Sequence, residues 1–194
     1  MKTFKAFLLE VEQMPGMGGS FLKREMETQP ENYPKGETTK HDLGGGYTMH
    51  HIKDSGTTAH SYLSHNGKTV GYMGHGGQFT SHKKNVLGIN QLAIHPEHRG
   101  KDLALKMAHE HIKNGKTLVG DELHTEGTTR MWEKLSKKKD VESHMFDPKT
   151  GKAHNLSITK DRPEHTREYD EPIPSKKDKE EQLRSRLMHV AYKK

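Results

Sequence analysis

Residues 85–96, NVLGINQLAIHP, stay largely apolar until Pro96 stops them, and an amphipathic helical pattern starts at Gly100. A strand that hands over to a helix across so short a turn limits what the chain can become. Proline cannot donate to a sheet ladder, so it ends the strand. Over residues 100–114, Leu105, Ala108 and Ile112 share one face, and Asn114-Gly115 closes the helix. That face has to be buried against other elements, which makes the chain a layered α/β (α+β) protein.

The turn has a chemistry of its own. A helix N-terminus carries unpaired backbone amides and the positive end of the helix dipole, and together these receive phosphate. Gly100 lets a ligand approach the backbone, while Arg99 and Lys101 add positive charge. Asp102 sits among the same amides. Two outcomes are open for it: turned inward, its carboxylate repels an anion and crowds the loop. Turned outward, it stabilises the first helical turn by ~0.3–1 kcal/mol.

Strand patterns surround this unit. YTMHHIK (47–53) and TTAHSYLSHNGKTVGYMG (57–74) alternate as strands do, the second being divided by the hairpin signal Asn66-Gly67. TLVG (117–120) reads as a short buried strand. TEGTTRMWEKLSKK (125–138) reads as a second helix with Thr128, Met131 and Leu135 on its apolar stripe. VESHMFD and KAHNLSI, joined by PKTG (148–151), predict a final hairpin. Residues 11–46 are polar and turn-rich, with at most one short helix expected near 20–27. Residues 159–194 read as a charged tail with a weak helix over 176–191, where Leu183, Leu187 and Val190 share a side.

Composition narrows the function classes. With 29% hydrophobic and 30% charged residues among 194, one domain with a modest core is expected. No apolar run is long enough to span a bilayer and no secretory h-region is seen at the amino terminus, so no membrane partner and a cytoplasmic location are expected. The lack of cysteine excludes disulfides and thiol catalysis. A net charge of +6 fits an acidic partner such as a nucleotide, and KLSKKK (134–139) with the basic tail allows nonspecific DNA contact. The 16 histidines, among them His50-His51 and His109-Glu110-His111, are scattered, and none forms HExxH. No metal site is expected from this spacing.

The order of elements, and LAIHPEHRGKDLA (92–104) against the pattern L-x-V-x-P-x-x-R-G-x-G-x-[GA], resemble the GCN5-related N-acetyltransferase (GNAT) family over about residues 45–158. The resemblance implies a GNAT-like mixed, mostly antiparallel sheet flanked by helices, spanning 47–158, with acetyl-CoA as co-substrate. It implies that backbone groups of Leu92, Ala93 and Ile94 pair with the pantetheine arm. It also implies that the amides of Arg99, Gly100, Lys101, Asp102, Leu103 and Ala104 hold the diphosphate of coenzyme A. A splay between this strand and TLVG would admit an amine of a protein or small molecule. Direct transfer would follow, with the thioester carbonyl polarised by an amide at Ile94. Glu122, His124 and His95 are the candidate bases, and position does not choose among them. Two departures stand out: Asp102 replaces a usual glycine, and Trp132 stands where many members have a proton-donating tyrosine. Tyr47, Tyr62, Tyr72, a histidine or water would then have to reprotonate the thiolate, while Trp132 itself reads as a core aromatic. A catalytically weak or inactive binding protein is the alternative.

The first ten residues, MKTFKAFLLE, place Phe4, Phe7 and Leu8 at helical spacing before a Pro/Gly-rich break. They resemble the capsid-targeting peptide of internal head proteins of tailed phages. This resemblance implies cleavage by a head-maturation protease at Glu10-Val11, packaging in the virion beside DNA, and action in the bacterial host cytoplasm, with a host protein as one candidate acceptor.

Overall fold

The computed structural model describes residues 19–53, 58–76, 86–120, 126–147, 152–154 and 188–194. In chain order the elements are α1 (Gly19–Glu27), β1 (Glu37–Asp42), β2 (Tyr47–Lys53), β3 (Ala59–His65), β4 (Lys68–His75), β5 (Val86–Ile94), α2 (Leu103–Lys113), β6 (Thr117–Gly120), α3 (Glu126–Ser136), β7 (Val141–Asp147), β8 (Lys152–His154) and β9 (Met188–Lys193). Among the described residues the strands form one nine-stranded sheet in the order β1-β2-β3-β4-β5-β6-β9-β7-β8. Every pairing is antiparallel except β5 with β6. The fold is therefore mixed α+β with a mostly antiparallel sheet.

Local chemistry explains the elements. Asn66 (φ 50°) and Gly67 (φ 72°) take the left-handed pair of angles that a tight β3–β4 hairpin demands. Helix α2 buries Leu103, Leu105, Met107, Ala108, His111 and Ile112 along one side. It ends where the amides of Gly115 and Lys116 reach back to the carbonyls of Ile112 (2.9 Å) and His111 (3.0 Å), with Gly115 at φ 75°. Helices α2 and α3 cover one sheet face, where Met107, Ile112, Trp132 and Leu135 pack on Met49, Leu63, Met73 and Leu118. The opposite face carries Met26 of α1 on Ile52, Tyr62, Tyr72 and Ala93.

Two expectations are corrected. The stretch 11–46 holds more than one short helix: besides α1, residues 37–42 form β1, paired with β2 from Glu37↔Lys53 to Asp42↔Thr48. β1 is an edge strand, mostly exposed and with no apolar residue, so it leaves no hydrophobic alternation to read. The second correction concerns the end of the chain. Residues 188–191, expected in a tail helix, belong to β9, which lies inside the sheet between β6 and β7. Leu118 faces Ala191 on one side, and six residue pairs from Val141↔Lys193 to Phe146↔Met188 bind the other. The rest of the expected tail helix, like residues 1–18, lies outside the described residues. No helix among the described residues is long and apolar enough to cross a membrane.

Candidate functional site

β5 carries the site. Its first part pairs in parallel with β6, from Val86↔Thr117 to Ile89↔Gly120. Beyond Ile89 no strand among the described residues pairs with that edge, while the other edge stays on β4 as far as Gly71↔Ile94. The register on β4 slips at Asn90, because Gly74 faces Gln91 and His75 faces Ile89. This bulge is accommodated by Gly74, where a Cβ would stand 2.9 Å from Asn90 Oδ1. A one-sided strand end leaves backbone groups able to pair with an extended ligand as a further strand would.

The strand ends in a tight 3-10 turn, Pro96–His98. His95 Nδ1 accepts the Glu97 amide (3.3 Å), and the His95 amide donates to the Val70 carbonyl (2.9 Å). Burial holds this imidazole below the ordinary histidine range, with Glu97 opposing and Arg99 adding to the effect. Arg99 Nε donates to the Ile94 carbonyl at 3.1 Å, which ties the turn to the strand. Gly100 (φ 77°) and Asp102 (φ 55°) are both left-handed. The first backbone bond of α2 runs from the Lys106 amide to the Asp102 carbonyl (2.9 Å). The amides of Gly100, Lys101, Asp102, Leu103 and Ala104 have no acceptor among the described residues.

Asp102 takes the outward course. Lys134 Nζ on α3 donates to its Oδ1 at 2.5 Å, both side chains being about half exposed, and the carboxylate caps none of the amides. Its backbone angle shows why a glycine would suit this position, since aspartate is one of few other residues that tolerate it. Replacement by glycine relieves a backbone cost of ~1 kcal/mol and removes an exposed ion pair worth ~0.2–1 kcal/mol. Asp102→Gly is therefore expected to melt within a few degrees of the parent when followed by circular dichroism. A fall of more than about 10 °C would show that the Lys134 contact holds α2 and α3 together.

Beside the turn, Lys101 Nζ donates to the Tyr47 hydroxyl (3.1 Å), which also lies 2.9 Å from His98 Nδ1. Tyr47 stacks on His65 with ring centroids 4.3 Å apart. Burial first, then the neighbouring Lys101, keeps His98 neutral more readily than an ordinary histidine. Tyr62 and Tyr72 lie on the other sheet face, where the Tyr62 hydroxyl binds Glu25 and the Tyr72 hydroxyl meets His60 Nδ1 at 2.8 Å. Trp132 is a core residue, 1% exposed and stacked on His189 of β9 (5.2 Å, 6°). Glu122 and His124 lie outside the described residues. The structure thus brings residues 92–104, His98 among them, together as one strand–turn–helix corner and adds Tyr47 and His65 to it. The sequence reading named Tyr47 only as a proton donor and did not single out His65, because both meet the turn only through tertiary packing.

A second polar cluster occupies the other end of α2. His51 of β2, His75 of β4 and His111 of α2 converge on the hydroxyl of Ser61 in β3, at 3.0, 2.8 and 2.9 Å. Burial drives all three well down from the usual histidine value, His51 to about 4 and His75 to about 3. No sequence spacing announces this group, because its members come from three separate elements.

Comparisons with protein-family models, curated protein sequences and solved structures return no match to this chain.

Proposed function

We propose that this chain is an acyl-CoA-dependent N-acyltransferase of the GCN5-related type, acting on an amine of a protein or small molecule. One observation carries the reading: β5 parts from β6 at Ile89 and leads to a helix N-terminus where the amides of Gly100 through Ala104 have no acceptor among the described residues. The parallel β5–β6 pairing, the one such pairing among the described residues, and the bulge at Asn90 support it. In this reading Leu92, Ala93 and Ile94 offer backbone groups to the pantetheine arm. The amides of residues 100–104, with Lys101 alongside, receive the diphosphate, whereas the Arg99 amide, expected among them, donates to the Pro96 carbonyl (3.2 Å). Tyr47 belongs to the diphosphate end of the corner. Tyr72 lies across from Ala93 and bonds to His60, and it is the hydroxyl assigned to return a proton to sulfur. The amine nitrogen bonds to the thioester carbon, its proton goes to a base, the carbon–sulfur bond breaks, and the thiolate takes up a proton. Glu122 and His124 remain the candidate bases, whereas His95 serves the turn.

The test is site-resolved. On addition of coenzyme A to the full-length protein, the backbone amide resonances of Gly100 through Ala104 are expected to shift most. Shifts confined to other segments, or none, would overturn the reading. Gly100→Val has open space around its Cβ but an unfavourable φ, so it is expected to fold and to lose these shifts.

The core position of Trp132 favours a second reading, a non-catalytic binding protein on the same scaffold. In either case the targeting-peptide resemblance of the first ten residues supports packaging in a phage head. Mass spectrometry of purified heads is expected to find a chain starting at Val11, and an intact Met1 there would contradict the assignment.

A further inference from the structure

We infer that His51, His75 and His111 form a binding site for a divalent, imidazole-preferring transition metal, zinc foremost, which clamps the end of α2 to the sheet. The three side chains reach one point from three elements. β2 and β3 place His51 opposite Ser61, β4 places His75 opposite Ala59 on the same face, and α2 lowers His111 onto them. The candidate ligand atoms all lie within 4.8 Å of one another. The rings stand nearly perpendicular in pairs, at 77°, 80° and 82°, so their nitrogens face a common centre instead of stacking.

The Ser61 hydroxyl marks the point on which the three nitrogens converge. A hydroxyl donates once and accepts twice, so Ser61 can satisfy one nitrogen on each ring. His75 Nδ1 is left buried with no partner among the described residues, in a side chain only 3% exposed. That nitrogen lies on the side of the ring away from Ser61, so it is not the one that an ion at the Ser61 centre would bind. Metal binding draws the three nitrogens in to about 2.0–2.1 Å from the ion. The centre now held by the Ser61 hydroxyl passes to the metal, and the hydroxyl or a water takes the fourth position.

Imidazole must be neutral to ligate, and burial already keeps these three neutral. The surroundings set the selectivity. His41, Lys53 and Lys116 surround the cluster with positive or potentially positive charge, His60 adds to it from the opposite sheet face, and the Glu110 carboxylate binds His41 and Lys113. Hard, oxygen-seeking cations such as magnesium and calcium find no carboxylate among the ligands and are excluded, whereas zinc is suited to imidazole.

The experiment is a titration of metal-free, untagged full-length protein with zinc chloride, read by stoichiometry and thermal melting. One zinc per chain and a rise of about 5 °C or more in melting temperature are expected. Because the ligands are already neutral, affinity should change less than threefold between pH 7.5 and about pH 6, unlike that of exposed histidines with ordinary pKa values near 6.5. His51→Gln and His111→Gln should each lower affinity at least tenfold, while Ser61→Ala keeps three ligands and stays within about threefold of the parent. Cobalt substitution should give the intense visible bands of a tetrahedral site. No uptake by the folded parent overturns the inference. So does zinc retained in both histidine variants, or lost on His95→Ala/His98→Ala, which would put the ion at the exposed His95–Glu97–His98 group.

Discussion

A chain ending at Leu187 is expected to lose cooperative folding. β9 is the ninth strand in sequence and an interior strand in space, so its removal opens the sheet between β6 and β7. Met188, His189, Val190 and Ala191 are all buried, and Trp132 loses the His189 ring against which it stacks. Burial of Met188 and Val190 contributes about 1.5–3 kcal/mol each. The lost ladder on both sides adds to this and leaves two strand edges unpaired. A domain stable by about 5–15 kcal/mol cannot absorb that sum. Near-ultraviolet circular dichroism and a urea melt of the truncated chain should show no native transition. Ala191→Asp tests the same contact without truncation, because it places a charge at a fully buried position opposite Leu118. A cooperative melt retained by both variants would show that β9 is dispensable.

The second large effect is a steep loss of stability in mild acid. Unfolded histidines titrate near pH 6.5, whereas His51 titrates at about 4 and His75 at about 3 in the fold, with His111 also shifted down by burial. Between these values the unfolded chain binds more protons than the native one, so stability falls as the pH falls. It is fully present above about pH 6.5 and is lost progressively as the pH drops towards the folded-state values. Each fully shifted group contributes up to ~1.4 kcal/mol per pH unit. For the buried pair His75 and His111 that makes a slope near 3 kcal/mol per pH unit. Urea melts of the metal-free protein at pH 7.5, 6.5, 5.5 and 5.0 should show this slope below 6.5. A flat profile would mean that the cluster is hydrated in solution. His75→Gln, if it folds, should flatten the profile by about one proton.

The legible part of this fold was local. Asn66-Gly67, the Pro96 stop and the Gly115 helix end each act through neighbouring residues, and each element they bound stands where the sequence reading put it. β1 escaped because an exposed edge strand carries no apolar alternation. β9 escaped because MHVAYK is too short to separate helical from extended spacing, and its partners lie about 50 and 70 positions earlier in the chain. The same limit applied to the sites. The contiguous run 92–104 announced its corner, but whether Asp102 faced inward depended on Lys134 in another helix. The histidine cluster had no sequence signal at all, since residues 51, 75 and 111 share neither a helix nor a motif spacing.

Calorimetric titration of the full-length protein with acetyl-CoA tests the central claim most directly, because the diphosphate either finds the amides after Pro96 or does not. Saturable binding of one molecule per chain is predicted, abolished in Gly100→Val and retained or tightened in Asp102→Gly. Absence of heat up to about 1 mM ligand, where the binding free energy would be weaker than about −4 kcal/mol, would contradict the account.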